Sequence, residues 1–335
     1  MKVRVSTLVI LSVMAALTLS GVKEFSTWPQ VLDLWKERAT FESLVGHPHL
    51  FRYLVAYPGL LLEDAYPGLG FSLYCCLFMV LNASVWSAIV RKTQLVSPPY
   101  LIWGIFFLAH MLMNGRGVIA WSAWLLCVSL CIDLSKATLR VKWPVLRGAI
   151  ACLLGAVSTG VFVIVLFAIF VFFLDRWRNG GVKLKNLRSL LVLLMLAPCC
   201  YVFMSYFLLA IDKNLDYFGG GLHGLVQMLG HGMGKIFLSH DGLDTGLRPG
   251  MTIALLLAIP IGSLAGMLFF FGPPIRPIRK LLIISIAGGL FGFTVLTLAI
   301  PLLLCEAGNA TRWTLRFLGL RHHPAPMEQR IAPQD

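Results

Sequence analysis

From Tyr100 to Ile132 the chain is almost wholly apolar, and Arg116 is its single fixed charge. A run of about 18 or more apolar residues reads as a membrane-spanning helix, and several such runs are present. That feature sets the solvent. Most side chains meet lipid or one another, and every backbone N–H and C=O must find its partner inside the protein. Composition agrees: 58% of the 335 residues are hydrophobic and 13% are charged, where a soluble domain carries about a quarter charged residues. The alternating segments of about ten residues that mark a transmembrane barrel are absent. The expected fold is all-α, a polytopic transmembrane helical bundle.

The net charge of +13 is no sign of nucleic-acid binding, because it resides in clusters between the apolar runs. The clusters are Lys2 and Arg4; Arg91 and Lys92; Lys136, Arg140, Lys142 and Arg147; Arg176, Arg178, Lys183, Lys185 and Arg188; and Arg276, Arg279 and Lys280. Together they hold 16 of the 28 Lys and Arg residues. Short basic connections mark the cytoplasmic side. About seven full spans follow, near 5–22, 69–90, 99–114, 117–132, 190–211, 251–272 and 281–304. The first, behind Lys2 and Arg4, reads as an uncleaved signal anchor over 1–22, since no clean A-x-A site follows it.

The run from Gly148 to Leu174 has basic clusters at both ends, so one crossing would put a cluster outside. A re-entrant hairpin over 148–174, turning at the small residues 155–160, keeps both inside. Its arms, about 13 residues or 20 Å each, are too short to cross alone. The outer face then carries a loop over 23–68, the turn Asn114-Gly115-Arg116-Gly117, and a Gly-rich loop over 212–250. Core spans occupy 69–211 and C-terminal spans 251–304, followed by a polar tail over 305–335 that falls outside. The eight cysteines lie in or beside apolar runs without a C-x-x-C pair, as small packing residues.

Three outer-face elements could carry chemistry. Arg116 sits at a hairpin turn, with His110 and Asn114 preceding it; its planar fork of donors suits phosphate. Glu63 and Asp64 stand between two Tyr-Pro-Gly turns in "YPGLLLEDAYPGLGF" and could serve as a general base. The stretch 217–246 contributes His223, His231 and Asp241 as loop candidates, and its histidine spacing matches no compact metal motif. No metal and no cofactor is expected. There is no P-loop and no G-x-S-x-G elbow.

The order of these features resembles the EpsG-like family of bacterial exopolysaccharide polymerases, relatives of the Wzy-type O-antigen polymerases. It consists of an N-terminal span, an acidic outer loop ending in Pro67-Gly68-Leu69-Gly70-Phe71, Arg91-Lys92, then Met113-Asn114-Gly115-Arg116 opening a helix, and a short hairpin. The likeness covers roughly residues 35–175. It implies a multi-pass inner-membrane protein that joins oligosaccharide repeat units carried on undecaprenyl pyrophosphate, on the periplasmic face, alongside other glycan-assembly proteins. By the resemblance, Arg116 stands in the family's Asn-x-x-Arg-like turn and Glu63 or Asp64 in its acidic loop position. The hairpin tip departs from the family, with Ser158-Thr159 where a histidine is usual, and the chain is short at its C-terminus. On this reading Arg116 with Asn114 holds the pyrophosphate, Lys235 and Arg248 form a second clamp, and Glu63, Asp64 or His110 takes the acceptor proton. A guanidinium would stabilise the charge growing on the leaving pyrophosphate. Two other classes stay open: a transporter or flippase of a lipid-linked or small anionic substrate, and a non-catalytic partner in an envelope-assembly complex.

Overall fold

The computed structural model describes residues 25, 27–38, 40–44, 47, 49–93, 100–136, 143–178, 276–288 and 297–306, with scattered positions between 201 and 224. All the regular structure among them is helical. Nine helices are named here: α1 (Pro29–Lys36), α2 (Phe41–Leu44), α3 (Leu50–Ala65), α4 (Gly70–Lys92), α5 (Tyr100–Leu112), α6 (Gly115–Ser135), α7 (Pro144–Gly155), α8 (Thr159–Arg178) and α9 (Pro277–Ala287). Residues 299–306 are helical as well. Three stretches are long and apolar enough to cross a membrane: Gly70–Lys92, Gly115–Ser135 and Thr159–Arg176. The expected spans at 5–22, 190–211 and 251–272 lie outside the described residues.

Helix α6 is the axis. It is buried on every face, from Gly115 and Gly117 through Trp121, Trp124 and Cys127 to Leu134, with α4, α7, α8 and α9 packed around it. Small residues permit this, because Ala120, Ser122, Ala123 and Ser129 let neighbouring backbones approach. Trp86 of α4 stacks on Phe106 of α5 at 4.2 Å between ring centroids, and Phe106 leans on Trp121 of α6, so aromatic rings fill the space between these helices.

One end of the bundle is tied by charge. Asp133 of α6 accepts from Lys92 Nζ of α4 and from Arg147 Nη1 of α7, each at 2.7 Å. Ser129 Oγ accepts from both cations too, at 3.1 and 2.9 Å, and Arg176 of α8 donates to the carbonyls of Leu134 and Lys136. Lys280 of α9 pairs with Asp175. Basic residues from four of the predicted clusters therefore share one end, as a common side for them requires.

Three expectations change shape. Residues 23–68 form helices α1 to α3, not a plain loop. Their order comes from a Pro at the start of α1 and from an amphipathic run over 50–65 whose face of Tyr53, Val55, Ala56, Gly59 and Leu60 is buried. The reversal inside 148–174 falls at 156–158, but the second arm, α8, has 20 residues. At 1.5 Å per residue it is about 30 Å long, so that arm is no short re-entrant limb. The run 281–304, expected as a single span, is folded back. Arg279 at the start of α9 bonds Glu306 at 3.1 Å, whereas one straight helix would hold them about 40 Å apart. Helix α9 ends at Ala287 with Gly288 as its cap, and residues 289–296 lie outside the described residues. Glu306 thus meets the basic end, and residues 307–335 of the expected polar tail lie outside the described residues.

Asp133→Asn leaves two half-buried cations without their carboxylate and is expected to cost about 2–4 kcal/mol, read as a lower thermal midpoint in detergent. Arg279→Ala, which breaks a more exposed pair, is expected to cost less than about 1 kcal/mol.

Candidate functional site

At the other end of α6 the charges are not paired. Asn114 caps the helix, its Oδ1 accepting from Gly117 N at 2.9 Å. The sequence Gly115-Arg116-Gly117 is the helix's first turn, not part of the loop before it. A Cβ at position 117 would stand 3.2 Å from Met113, so glycine keeps that turn tight and Arg116 fixed. Arg116 is half-buried. Its Nε is shielded from solvent and has no hydrogen-bond partner.

The nearby charge is another cation. Arg52, near the start of α3, is 8% exposed. Its Nη2 donates to Thr159 Oγ1 at 3.1 Å and its Nη1 reaches His49 Nδ1 at 3.3 Å. Burial, and then the charge of Arg116, push its guanidinium down to about 9, still protonated at neutral pH. Thr159 is the first residue of α8, so the positive ends of α6 and α8 converge on the same place. No carboxylate bonds either arginine among the described residues. Like charges gathered beside two helix N-termini are the kind of surroundings that favour an anion.

Sequence reasoning found Arg116 but not Arg52. The signal was there: within the 3.6-residue period of 50–65, Arg52 falls on the same face as Val55, Ala56 and Gly59, and a cation on an apolar stripe needs a reason. Thr159 was noted only as part of the hairpin tip.

The other named residues serve elsewhere. Both oxygens of Glu63 are engaged: Oε1 accepts from Gly68 N at 2.6 Å and Oε2 from Phe71 N at 2.8 Å. The carboxylate thereby clasps the turn at Gly68 (φ +79°) and satisfies an amide in the first turn of α4. Asp64 is exposed beside it. Both lie about three turns along α3 from Arg52, roughly 16 Å, so the acids and the arginines are not one cluster. His110 is buried in packing. Its Nδ1 donates to Phe106 O at 2.8 Å, and its Nε2 accepts from Asn82 Nδ2 at 3.0 Å. Asn82 also donates to Val118 O and accepts from Ser122 Oγ at 2.7 Å. With both ring nitrogens taken, this imidazole joins α4, α5 and α6 and is not presented to a substrate. His223, His231, Asp241, Lys235 and Arg248 lie outside the described residues. No group of residues suited to a metal ion occurs among the described ones.

Fold and site together define a helical membrane protein in which two arginines, without a carboxylate partner among the described residues, stand at the opposite end of the bundle from its ion-paired cluster. Comparison with known proteins finds no matching family model, no matching curated sequence and no matching solved structure.

Asn82→Ala strands His110 Nε2 in an apolar interior and takes one bond each from Ser122 Oγ and Val118 O, which keep their mutual bond at 3.3 Å, and is expected to cost about 2–3 kcal/mol. Its effect should be clearly less than additive with His110→Ala, because the two residues form one network. A double-mutant cycle on thermal or denaturant stability measures this.

Proposed function

We propose that the protein is a bacterial inner-membrane polymerase that joins oligosaccharide repeat units carried on undecaprenyl pyrophosphate at the periplasmic face. The observation that supports this reading is the Arg52–Arg116 pair, two guanidiniums with no carboxylate partner among the described residues, at the end of the bundle away from the basic clusters. Those clusters mark the cytoplasmic side by the charge rule, which turns the arginine pair outward. Arg116 lies about 25 Å along α6 from Asp133, close to the roughly 30 Å thickness of a bilayer's hydrocarbon core. A lipid-borne diphosphate has its charge at that depth.

In this mechanism the sugar's anomeric C–O bond to the pyrophosphate breaks, and a new C–O bond forms with an acceptor hydroxyl, whose proton passes to solvent. The electron pair of the broken bond stays on the pyrophosphate. Arg116 and Arg52 bind that leaving group, and their planar donors stabilise it more as its charge grows, which lowers the barrier. Thr159 holds Arg52 in place until the anion arrives. Glu63 and His110 have structural roles and take no proton here.

Arg116→Lys and Arg52→Lys retain a charge but lose the fork. Each is expected to weaken binding of undecaprenyl diphosphate in nanodiscs about 10- to 100-fold, the equivalent of one or two charged hydrogen bonds, and to abolish polymer while membrane insertion stays intact. Unchanged affinity and normal polymer in both variants would sink the reading. Movement of a lipid-linked substrate across liposomes, without chain growth, would assign the protein to the transporters instead.

A further inference from the structure

The segment before α4 carries an exposed surface unlike that of a water-bathed loop. On α3 the outward positions are Leu54 (49% exposed), Tyr57, Pro58 and Leu61 (47%), one unbroken apolar stripe. It ends at the acidic tip, Glu63-Asp64. Helix α3 runs antiparallel against α4. Tyr74 OH donates to Val55 O, and a Cβ on Gly59 would meet the rings of Phe71 and Tyr74 at 2.5 to 2.9 Å. The stripe therefore continues into the exposed face of α4, a stretch long and apolar enough to cross a membrane, where Leu77 is 64% exposed.

The depth of this surface can be read from the packing. Asn82 on α4 is level with Val118 on α6, to which it bonds at 3.0 Å. Gly70 lies more than three turns above Asn82, yet Gly115 lies less than one turn above Val118. Helix α4, with α3 beside it, thus stands roughly 13 Å beyond the end of α6. The layer from Arg116 upward over that distance is where α3 exposes its stripe. It is also where the aromatic residues gather. Trp35 packs on Tyr57 at 5.7 Å, Trp28 on Phe71 at 6.3 Å, and Tyr66 is exposed at the tip. Asp33, Lys36, Glu37 and Arg38, all exposed, bring charges of both signs to the end of α1. Exposed Tyr57 and Tyr66 beside an apolar flank, with a charged fringe, match the composition of a membrane–water boundary.

We infer that α1 and α3 form a membrane-seated collar, the Leu54–Tyr57–Leu61 face resting in the boundary between phospholipid headgroups and acyl chains of one leaflet. The occupant of this surface is the bilayer lipid. Lys36 and Arg38 meet lipid phosphates, and the acids at 63–64 project into water. The inference does not depend on glycan chemistry, and it holds or fails whatever the arginine pair binds.

The test uses the full chain in phosphatidylethanolamine/phosphatidylglycerol vesicles. One sample contains a phospholipid with a photoreactive diazirine on its acyl chain; a second is exposed to hydroxyl radicals from the aqueous phase. Peptides are then mapped by mass spectrometry. The residues 54–61 are expected to take up lipid label within about threefold of residues 77–80, with Tyr57 protected from aqueous oxidation relative to unfolded protein. Lipid label below about a tenth of that at 77–80, with Tyr57 oxidised freely, would overturn the inference. A second variant, Leu54→Asp/Leu61→Asp, replaces two exposed side chains outside the buried core. It is expected to retain its fold in detergent but to shift residues 54–61 from lipid label to aqueous oxidation; identical labelling in variant and parent would count equally against it.

Discussion

A helix buried on all its faces has no water to complete its hydrogen bonds, and α6 lives under that constraint along its whole length. Asn114 supplies the cap, Asn82 and Ser122 attend to the Val118 carbonyl, and Ser129 and Asp133 are held by cations from α4 and α7. Among the described residues only two side-chain atoms on the helix are shielded without a partner, Trp124 Nε1 and Arg116 Nε. An orphan of this kind costs about 1–3 kcal/mol. For an indole that is a tolerable packing compromise. For a guanidinium with another guanidinium as its charged neighbour, the same cost is the ground on which an anion is proposed there.

The two ends of α6 show opposite treatments of positive charge. At Asp133 one carboxylate and one hydroxyl are shared by Lys92 and Arg147, and backbone carbonyls absorb Arg176. The result is a fixed joint of four helices. At Arg116 the helix dipoles add to the charge rather than offset it, and among the described residues no carboxylate bonds it or Arg52. Electrostatics of the first kind stabilises a fold. The second kind leaves like charges facing one another, the condition on which the proposed binding of a lipid-borne diphosphate rests.

Much of this was legible in the chain. The apolar runs gave the helices α4, α6 and α8, the clustered bases gave their common end, and the small residues near 155–158 gave the reversal between α7 and α8. Arg116 stood out because nothing else near it was charged. What escaped had a three-dimensional cause. Arg52 was read as part of an outer loop, since its burial depends on α3 lying along α4, a fact fixed by Gly59 and Tyr74 and invisible in a hydropathy profile. His110 and Glu63 looked like chemistry because polar residues in greasy surroundings are conspicuous. Their partners, Asn82 28 positions away and the amides of Gly68 and Phe71, turn them into struts. The fold-back of 281–304 was hidden because no charge and no proline interrupts the apolar signal between Leu281 and Ile300.

Consider finally the seam between α3 and α4. No side chain separates them at Gly59, where aromatic rings lie directly on the backbone, and at Gly70 the space a Cβ would need is filled by the Leu62 carbonyl. The Glu63 carboxylate bolts the far end. Arg52 rides on this plank while Arg116 is anchored to the central axis, so the spacing of the two guanidiniums depends on how closely bare backbone lets α3 lie against α4. On the function proposed above, a side chain at position 59 would respace the pair and disturb its grip on a diphosphate without touching either arginine.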